Sequence, residues 1–156
     1  MTTGQSSLAS EAVAKFTSGY ACSQAILAVF GPRFGLDEAT AAKLGAGFGG
    51  GLGRLGYACG AVSGAVAILG LSLGNGVGAD VANREKVYEA VQEFCRRFIE
   101  RHGSIDCRQL IGRDIASPEA FAAAKQANVF RTICPEFVRT AAEILEKMLG
   151  PPSGGG

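Results

Sequence analysis

The segment GFGGGLGRLGYACGAVSGAVAILGLSL, from Gly47 to Leu73, decides the fold of this chain. Six of its first ten residues are glycine, a density that predicts a tight turn between two helices. The residues from Tyr57 onward are mainly Ala, Val, Leu and Ile, which predict a central apolar helix. Gly60 and Gly64 share one face of that helix, and their bare backbone lets a neighbouring helix approach closely.

The same apolar stretch raises the question of a membrane span, since no charged residue occurs from Leu55 to Ala79. A spanning helix needs about 20 predominantly apolar residues. Here the strongly apolar part runs only from Val62 to Leu73, and glycines dilute the remainder. We therefore expect a buried core helix and a chain that does not span a membrane.

Helical spacing of apolar residues dominates the rest of the chain, and no alternating strand pattern of useful length occurs. We predict an all-α fold, with a single-domain bundle of about six to seven helices over residues 1–150 and a disordered tail at 151–156. The predicted N-caps are Asp37, Asp106 and Ser117. The helices are expected at about 7–17, 21–30, 38–46, 57–73, 80–101, 117–126 and 134–149, with a further turn beginning at Cys107.

The composition excludes several classes of function. Hydrophobic residues make up 47% and charged residues 19% of the chain, so a disordered protein is not expected. A net charge of +1, the lack of a basic run and the absence of Trp argue against a nucleic-acid partner. The N-terminal sequence has neither the basic nor the apolar region of a secretory signal, so we expect a reducing, cytoplasmic location. Cysteines there are more often thiols, metal ligands or redox groups than structural disulfides.

Four of the five cysteines lie where a helix is predicted to begin, and none forms a C-x-x-C pair. They are Cys22, Cys59, Cys107 and Cys134. Unpaired N–H groups and the partial positive charge of a helix start favour thiolate over thiol. At Cys107 the neighbouring Asp106 opposes that effect and Arg108 supports it, so the direction of its pKa shift is undecided. We expect the four cysteines to converge into one site that carries thiolate chemistry.

Two further residues, Cys95 and His102, are predicted to have structural roles and no part in the chemistry. Cys95 lies inside the predicted helix 80–101, in register with Val91 and Phe98, and is expected to pack in the core. His102, the single histidine, is expected to cap the C-terminus of the same helix, where a cation is favourable.

The glycine run also contains the pattern G-x-G-x-x-G twice, at Gly45/Gly47/Gly50 and at Gly51/Gly53/Gly56. A dinucleotide-binding fingerprint must follow a strand within a β-α-β unit. A helix precedes this run instead, and no parallel-sheet pattern surrounds it. The run is therefore interpreted as an interhelical turn that brings Cys59 close to other parts of the backbone.

The motif CGAVSG, which begins at Cys59, follows the glycine-rich GFGGGLGRLG, and three other cysteine motifs accompany it: GYACSQA at Cys22, CRQLIG at Cys107 and CPEFV at Cys134. Together these segments resemble the bacterial and archaeal family that is named C_GCAxxG_C_C after its cysteine pattern and to which a redox role is attributed. The likeness extends from Cys22 to about Leu149. Ala21 departs from the polar residue that this family often has before its first cysteine, and Cys95 is an additional cysteine.

The resemblance implies redox chemistry at Cys22, Cys59, Cys107 and Cys134, with an oxidoreductase activity left open. In the leading hypothesis two of these cysteines cycle between dithiol and disulfide. In the alternative the four thiolates bind a metal centre, such as an iron–sulfur cluster. A third hypothesis is a helical binding module whose cysteines only pack. The redox partner is unknown, and the glycine faces would also suit a homo-oligomer.

Overall fold

The computed structural model describes residues 7–151, and within them the chain is built from helices, with no strand. The all-α prediction is therefore confirmed. The helices are α1 (Leu8–Thr17), α2 (Cys22–Phe30), a 3-10 turn (Gly31–Phe34), α3 (Glu38–Gly45), α4 (Gly49–Leu52), α5 (Gly60–Leu73), α6 (Val81–His102), α7 (Cys107–Ile111), α8 (Pro118–Gln126), α9 (Val129–Thr132) and α10 (Cys134–Leu149). The elements without a counterpart in the sequence prediction are single turns, among them α4 and α9. The predicted disorder of the tail falls, apart from Pro151, outside the described residues.

Polar side chains cap most of the long helices, as their sequence positions predict. The carboxylate of Asp37 accepts a hydrogen bond from the N–H of Thr40 at 3.0 Å. The hydroxyl of Ser117 accepts one from the N–H of Ala120, also at 3.0 Å. Asp106 differs, because it precedes α7 but its side chain makes no capping bond. Asp106 therefore occupies the predicted N-cap position but does not cap through its side chain, and α7 begins where the backbone pairs with the segment before α5.

This backbone pairing also explains why α5 begins at Gly60, three residues later than predicted. The N–H of Cys59 donates to the carbonyl of Ile105 at 2.7 Å, and the N–H of Cys107 donates to the carbonyl of Tyr57 at 2.6 Å. Ala58 and Asp106 form an isolated antiparallel bridge between these bonds. Residues committed to such cross-chain bonds are held extended, so the helix starts after them.

Helix α2 packs directly on α5 across the two glycines identified in the sequence. A Cβ at Gly64 would lie 3.1 Å from both the Cβ of Ile26 and the carbonyl oxygen of Ser23. A Cβ at Gly60 would lie 2.6 Å from the Sγ of Cys22. The predicted close approach is confirmed, and it places the first cysteine against the start of the central helix.

The two ends of the described chain pack together. Helix α1 lies along α10, and the N–H of Ala9 donates to Oε1 of Glu146 at 2.8 Å. Arg33 donates to the carbonyl of Gly150 at 2.8 Å, so it fixes the end of α10 to the turn after α2. None of the described helices is both long and apolar enough to cross a membrane.

His102 ends α6 but does not act as a charged cap. Its ring lies against Phe98 and Phe137, with 5.0 Å between ring centroids in each case. Its Nε2 is 2.8 Å from the hydroxyl of Thr140, which is fully buried. Burial lowers the pKa of His102 and thus disfavours the cation. The capping expectation is therefore wrong: the helix is closed by Gly103 with φ of 85°, and the histidine packs as a neutral ring.

Candidate functional site

The four cysteines at helix starts line one cavity, with a volume of about 600 Å³. Cys22, Cys107 and Cys134 are the first residues of α2, α7 and α10, and Cys59 is the residue before α5. All four are free thiols. Cys59 and Cys107 are buried, whereas Cys22 and Cys134 are half-buried. Four segments far apart in sequence thus present sulfur to a common space.

Cys22 has the most acidic thiol of the group, with a pKa lowered to about 7. The main cause is a hydrogen bond that the Cys59 thiol donates to the Cys22 sulfur. Burial opposes this effect, but the N–H groups of Ser23, Gly50 and Cys22 itself also stabilise the thiolate. Two of these amides belong to the first turn of α2, and the third comes from the glycine run.

Cys59 is the complementary partner, and its pKa lies well above the ordinary value. The causes are the hydrogen bond with Cys22, burial and the nearby negative charge of that sulfur. The N–H groups of Ala61 and Val62 oppose this rise. Above about pH 7 the pair therefore carries one proton, which Cys59 holds, and the thiolate is on Cys22.

Cys107 and Cys134 do not gain thiolate character from their helices. Burial, reinforced by the nearby Cys22, raises the pKa of Cys107 to about 11 and that of Cys134 to about 12. The expectation that a helix start favours thiolate is therefore wrong for Cys59 and Cys134, and at Cys107, where the sequence left the direction open, the pKa is raised. Helix α7 has only five residues, so its terminal charge is small. Desolvation of a buried thiolate dominates at Cys107 and Cys134, whereas the hydrogen bond with Cys22 is the larger cause at Cys59.

The glycine run positions backbone groups of the site, and the sequence alone does not show which of its residues do so. Gly50 and Gly51 have φ of 69° and 71°, in the left-handed region that favours glycine. This conformation aims the Gly50 N–H at the Cys22 sulfur. A Cβ at Gly51 would lie 2.7 Å from the Cβ of Cys107 and 2.6 Å from the backbone N of Tyr57. Glycine density predicted the turn, but not which amide reaches the sulfur.

Most of the remaining cavity wall is apolar. Its large side chains are Phe16, Tyr20, Leu110, Ile111, Ile115, Phe121, Phe130 and Phe137. Arg54 is the one charged residue among the described residues that line it. Its guanidinium lies 3.6 Å from the centroid of the Phe121 ring, and its φ is 70°. Sequence reasoning missed Arg54, because only the fold carries this loop to the cavity.

The fifth cysteine does not line this cavity. Cys95 is half-buried on α6, packs against the core, and has a pKa raised by burial.

Within residues 7–151, no group of three or more Cys, His, Asp or Glu side chains is placed so as to hold a metal ion. The four thiols as arranged do not match a metal ligand set, and the iron–sulfur alternative stays a prediction from sequence.

Comparison with known proteins gives one match. The model of the family described as "Putative redox-active protein (C_GCAxxG_C_C)" matches residues 20–148. The matched range contains all four cysteines of the cavity. No curated protein and no solved structure matches the chain.

Proposed function

The chain belongs to the C_GCAxxG_C_C family, and we propose that Cys22 and Cys59 form a dithiol that reduces disulfide substrates. Cys22 is the nucleophile and Cys59 the resolving cysteine. Of the four predicted site cysteines, Cys22 and Cys59 therefore react, and Cys107 and Cys134 lie beside them.

The observation that carries the proposal is the hydrogen-bonded contact between the Cys22 and Cys59 sulfurs. A thiol–disulfide exchanger needs a thiolate to attack and a second thiol within reach to complete the reaction. Cys22 has a pKa of about 7, close to the optimum for an attacking thiol at neutral pH. Its hydrogen-bonded neighbour Cys59 remains protonated until Cys22 has reacted.

The reaction proceeds in two balanced steps. The Cys22 thiolate attacks one sulfur of a substrate R–S–S–R, forms the mixed disulfide Cys22–S–S–R and expels RS⁻, which takes up a proton. Cys22 is then no longer a thiolate, so the hydrogen bond that chiefly raises the pKa of Cys59 is lost together with the nearby negative charge. Cys59 loses its proton and attacks the Cys22 sulfur, and the second RS⁻ leaves and is protonated. The substrate gains two electrons and two protons, and an external dithiol returns the protein to its reduced state.

Cys107 and Cys134 stay protonated throughout this cycle. The pKa of Cys107 is about 11 and that of Cys134 about 12, so almost no thiolate is present at neutral pH. Their role is to form part of the wall against which a substrate lies.

The test is disulfide mapping after mild oxidation. Reduced protein is treated with an excess of oxidised dithiothreitol or glutathione disulfide, blocked with iodoacetamide and analysed by intact mass and peptide mapping. We expect the loss of two thiols, a bond between Cys22 and Cys59, and recovery of both thiols on reduction. Cys22→Ser and Cys59→Ser should each abolish that bond, whereas Cys95→Ser, the matched control, should retain it.

Three outcomes would contradict the proposal. Thiols that stay inert to oxidation would favour the purely structural cysteines of the third hypothesis. Anaerobically purified protein that carries stoichiometric iron or zinc bound through Cys22 and Cys59 would favour the metal alternative. A bond that forms only between other cysteines would place the reacting pair elsewhere.

A further inference from the structure

The cavity beside Cys22 has the size and lining of a small-molecule site. Its volume of about 600 Å³ falls within the roughly 300–1,000 Å³ typical of such sites. Five aromatic side chains contribute to its wall: Phe16, Tyr20, Phe121, Phe130 and Phe137. Phe121 and Phe130 lie with their ring centroids 5.4 Å apart and their planes tilted by 33°, and together they form a continuous apolar surface. Such a wall favours a ligand with an apolar, planar body.

Arg54 gives this apolar wall a single positive charge. The ion pairs of the described residues engage other cations, and none of them includes Arg54. Its guanidinium is instead stacked on Phe121, which leaves its N–H edge available to a ligand. No carboxylate of the described residues lines the cavity to offset this charge.

The stem of Arg54 packs against the glycine whose N–H donates to the Cys22 sulfur. A Cβ at Gly50 would lie 2.8 Å from the Cγ of Arg54, so the arginine stem crosses the bare face of Gly50. The N–H of Gly50 is one of the donors to the Cys22 sulfur. Arg54 and the Cys22 sulfur therefore flank the same glycine and line the same cavity.

From this arrangement we infer that the cavity binds a small aromatic carboxylate, and that disulfides of this class are the substrates of the thiol pair. The aromatic body packs on the phenylalanine wall and the carboxylate accepts paired N–H bonds from Arg54. One cation on an apolar wall matches one negative charge better than the two of a phosphate monoester, whose desolvation would be costlier. The assignment of the substrates rests on the proposed function, whereas the carboxylate-binding site does not.

Binding is tested without any redox step, in the Cys22→Ser variant. Isothermal titration with 1-naphthoate, and with neutral 1-naphthamide as the matched ligand, separates the charge from the apolar body. We expect naphthoate to bind about tenfold more tightly than naphthamide, the range of one charge-assisted hydrogen-bonded pair. Adding Arg54→Gln should abolish this preference, and Arg54→Lys should retain part of it.

Reactivity is tested in the otherwise unmodified chain with two disulfide reagents. 5,5′-Dithiobis(2-nitrobenzoate) carries aromatic carboxylates, whereas 4,4′-dithiodipyridine is an uncharged aromatic disulfide. We expect Arg54→Gln to slow the Cys22-dependent reaction with the first about tenfold and the second less than twofold. Arg113→Gln removes the same charge from an exposed site that does not line the cavity, and it should leave both rates unchanged.

The outcomes distinguish this inference from the proposed function. Equal binding of naphthoate and naphthamide, or binding of neither, overturns the inference even if Cys22 and Cys59 form a disulfide. Naphthoate binding that depends on Arg54, together with inert thiols, upholds the site and overturns the redox function. Equal slowing of both disulfides by Arg54→Gln would mean that the residue acts only on the thiolate, which overturns the substrate assignment.

Discussion

At the scale of single residues, Cys22 and Cys134 show how similar sequence positions lead to different chemistry. Each is the first residue of a helix, yet the pKa of Cys22 falls to about 7 and that of Cys134 rises to about 12. Cys134 has only burial and nearby sulfurs acting on its charge. Cys22 has a thiol donor and an amide from another segment in addition to its own helix. Tertiary donors, rather than the helix start, therefore decide which sulfur is ionised.

This difference limits what the sequence could predict about the site. The motif around Cys59 and the helix starts identified which cysteines line the cavity. They gave no sign that Cys22 would be the most acidic, because Ala21 before it cannot cap a helix. In the structure the side chain of Gln24 accepts the N–H of Ala21 at 2.9 Å, so the start of α2 is satisfied without a polar residue at position 21. The donor Gly50 lies 28 positions away, beyond any local pattern.

The lowered pKa of Cys22 predicts the pH dependence of its alkylation. Only the thiolate reacts, so the rate with iodoacetamide should fall as the pH drops through about 7 and Cys22 becomes protonated. Cys59→Ala removes the chief donor and should move this midpoint upward, toward the ordinary value for cysteine. Quantitative mass spectrometry of the Cys22 peptide measures the rate. Cys95→Ser should leave the midpoint unchanged, and a midpoint near 9 in the unmodified protein would contradict the assignment.

At the scale of elements, the glycine run combines two requirements that the sequence shows only as composition. Some of its glycines are needed for backbone conformation, and others for close contact. Gly53 has φ of 57° but no atom near its missing Cβ, whereas Gly51 has both a positive φ and a crowded Cβ position. Gly47 has neither constraint. Alanine substitutions at these three positions therefore separate the two costs.

We expect Gly47→Ala to change the free energy of unfolding by less than about 0.5 kcal/mol. Gly53→Ala should lower it by about 1–2 kcal/mol, the cost of a left-handed residue with a Cβ. Gly51→Ala should lower it by about 2–5 kcal/mol, because overpacking adds to that conformational cost. Urea denaturation of the reduced proteins measures each value. A loss at Gly51 no larger than at Gly53 would mean that the contact with Cys107 and Tyr57 relaxes freely.

The central helix offers a second comparison, between Gly64 and Gly70. Both lie inside α5, but only Gly64 faces another helix, and a Cβ at Gly70 meets nothing within 4 Å. Alanine is a better helix former than glycine, so Gly70→Ala should raise the free energy of unfolding by about 0.5–1 kcal/mol. Gly64→Ala should lower it by about 1–3 kcal/mol, since its Cβ presses on α2. Changes of the same sign at both positions would argue against the close approach of α2 and α5.

At the scale of the whole molecule, the helical class and most helix positions followed from apolar spacing and capping residues. The start of α5 did not, because residues 57–59 pair with residues 105–107, and such pairing between distant segments leaves no local pattern. The neutral packing of His102 was missed for the same reason, since Phe137 and Thr140 come from another helix. Local rules thus placed the elements, while the contacts between elements set the chemistry.

Formation of the proposed disulfide should stabilise the molecule as a whole. A bond between Cys22 and Cys59 closes a loop with 36 intervening residues, and a loop of this length restricts the unfolded chain by up to about 4 kcal/mol. The oxidised protein should therefore unfold at a higher guanidinium concentration than the reduced protein. Cys59→Ser treated with the same oxidant provides the control, in which no shift is expected. Equal midpoints for oxidised and reduced protein would indicate that strain in the folded state offsets the gain.

The packing of α1 along α10 has a consequence for how the protein is synthesised. The ribosome completes α10 last, so the helix that α1 requires as its partner emerges after every other part of the described chain. Until then Cys22 and Cys59 are already translated, but Cys134 and the wall around them are not yet in place. Nascent chains therefore carry the thiol pair before its enclosure exists, and we expect them to be most vulnerable to unwanted oxidation during this interval.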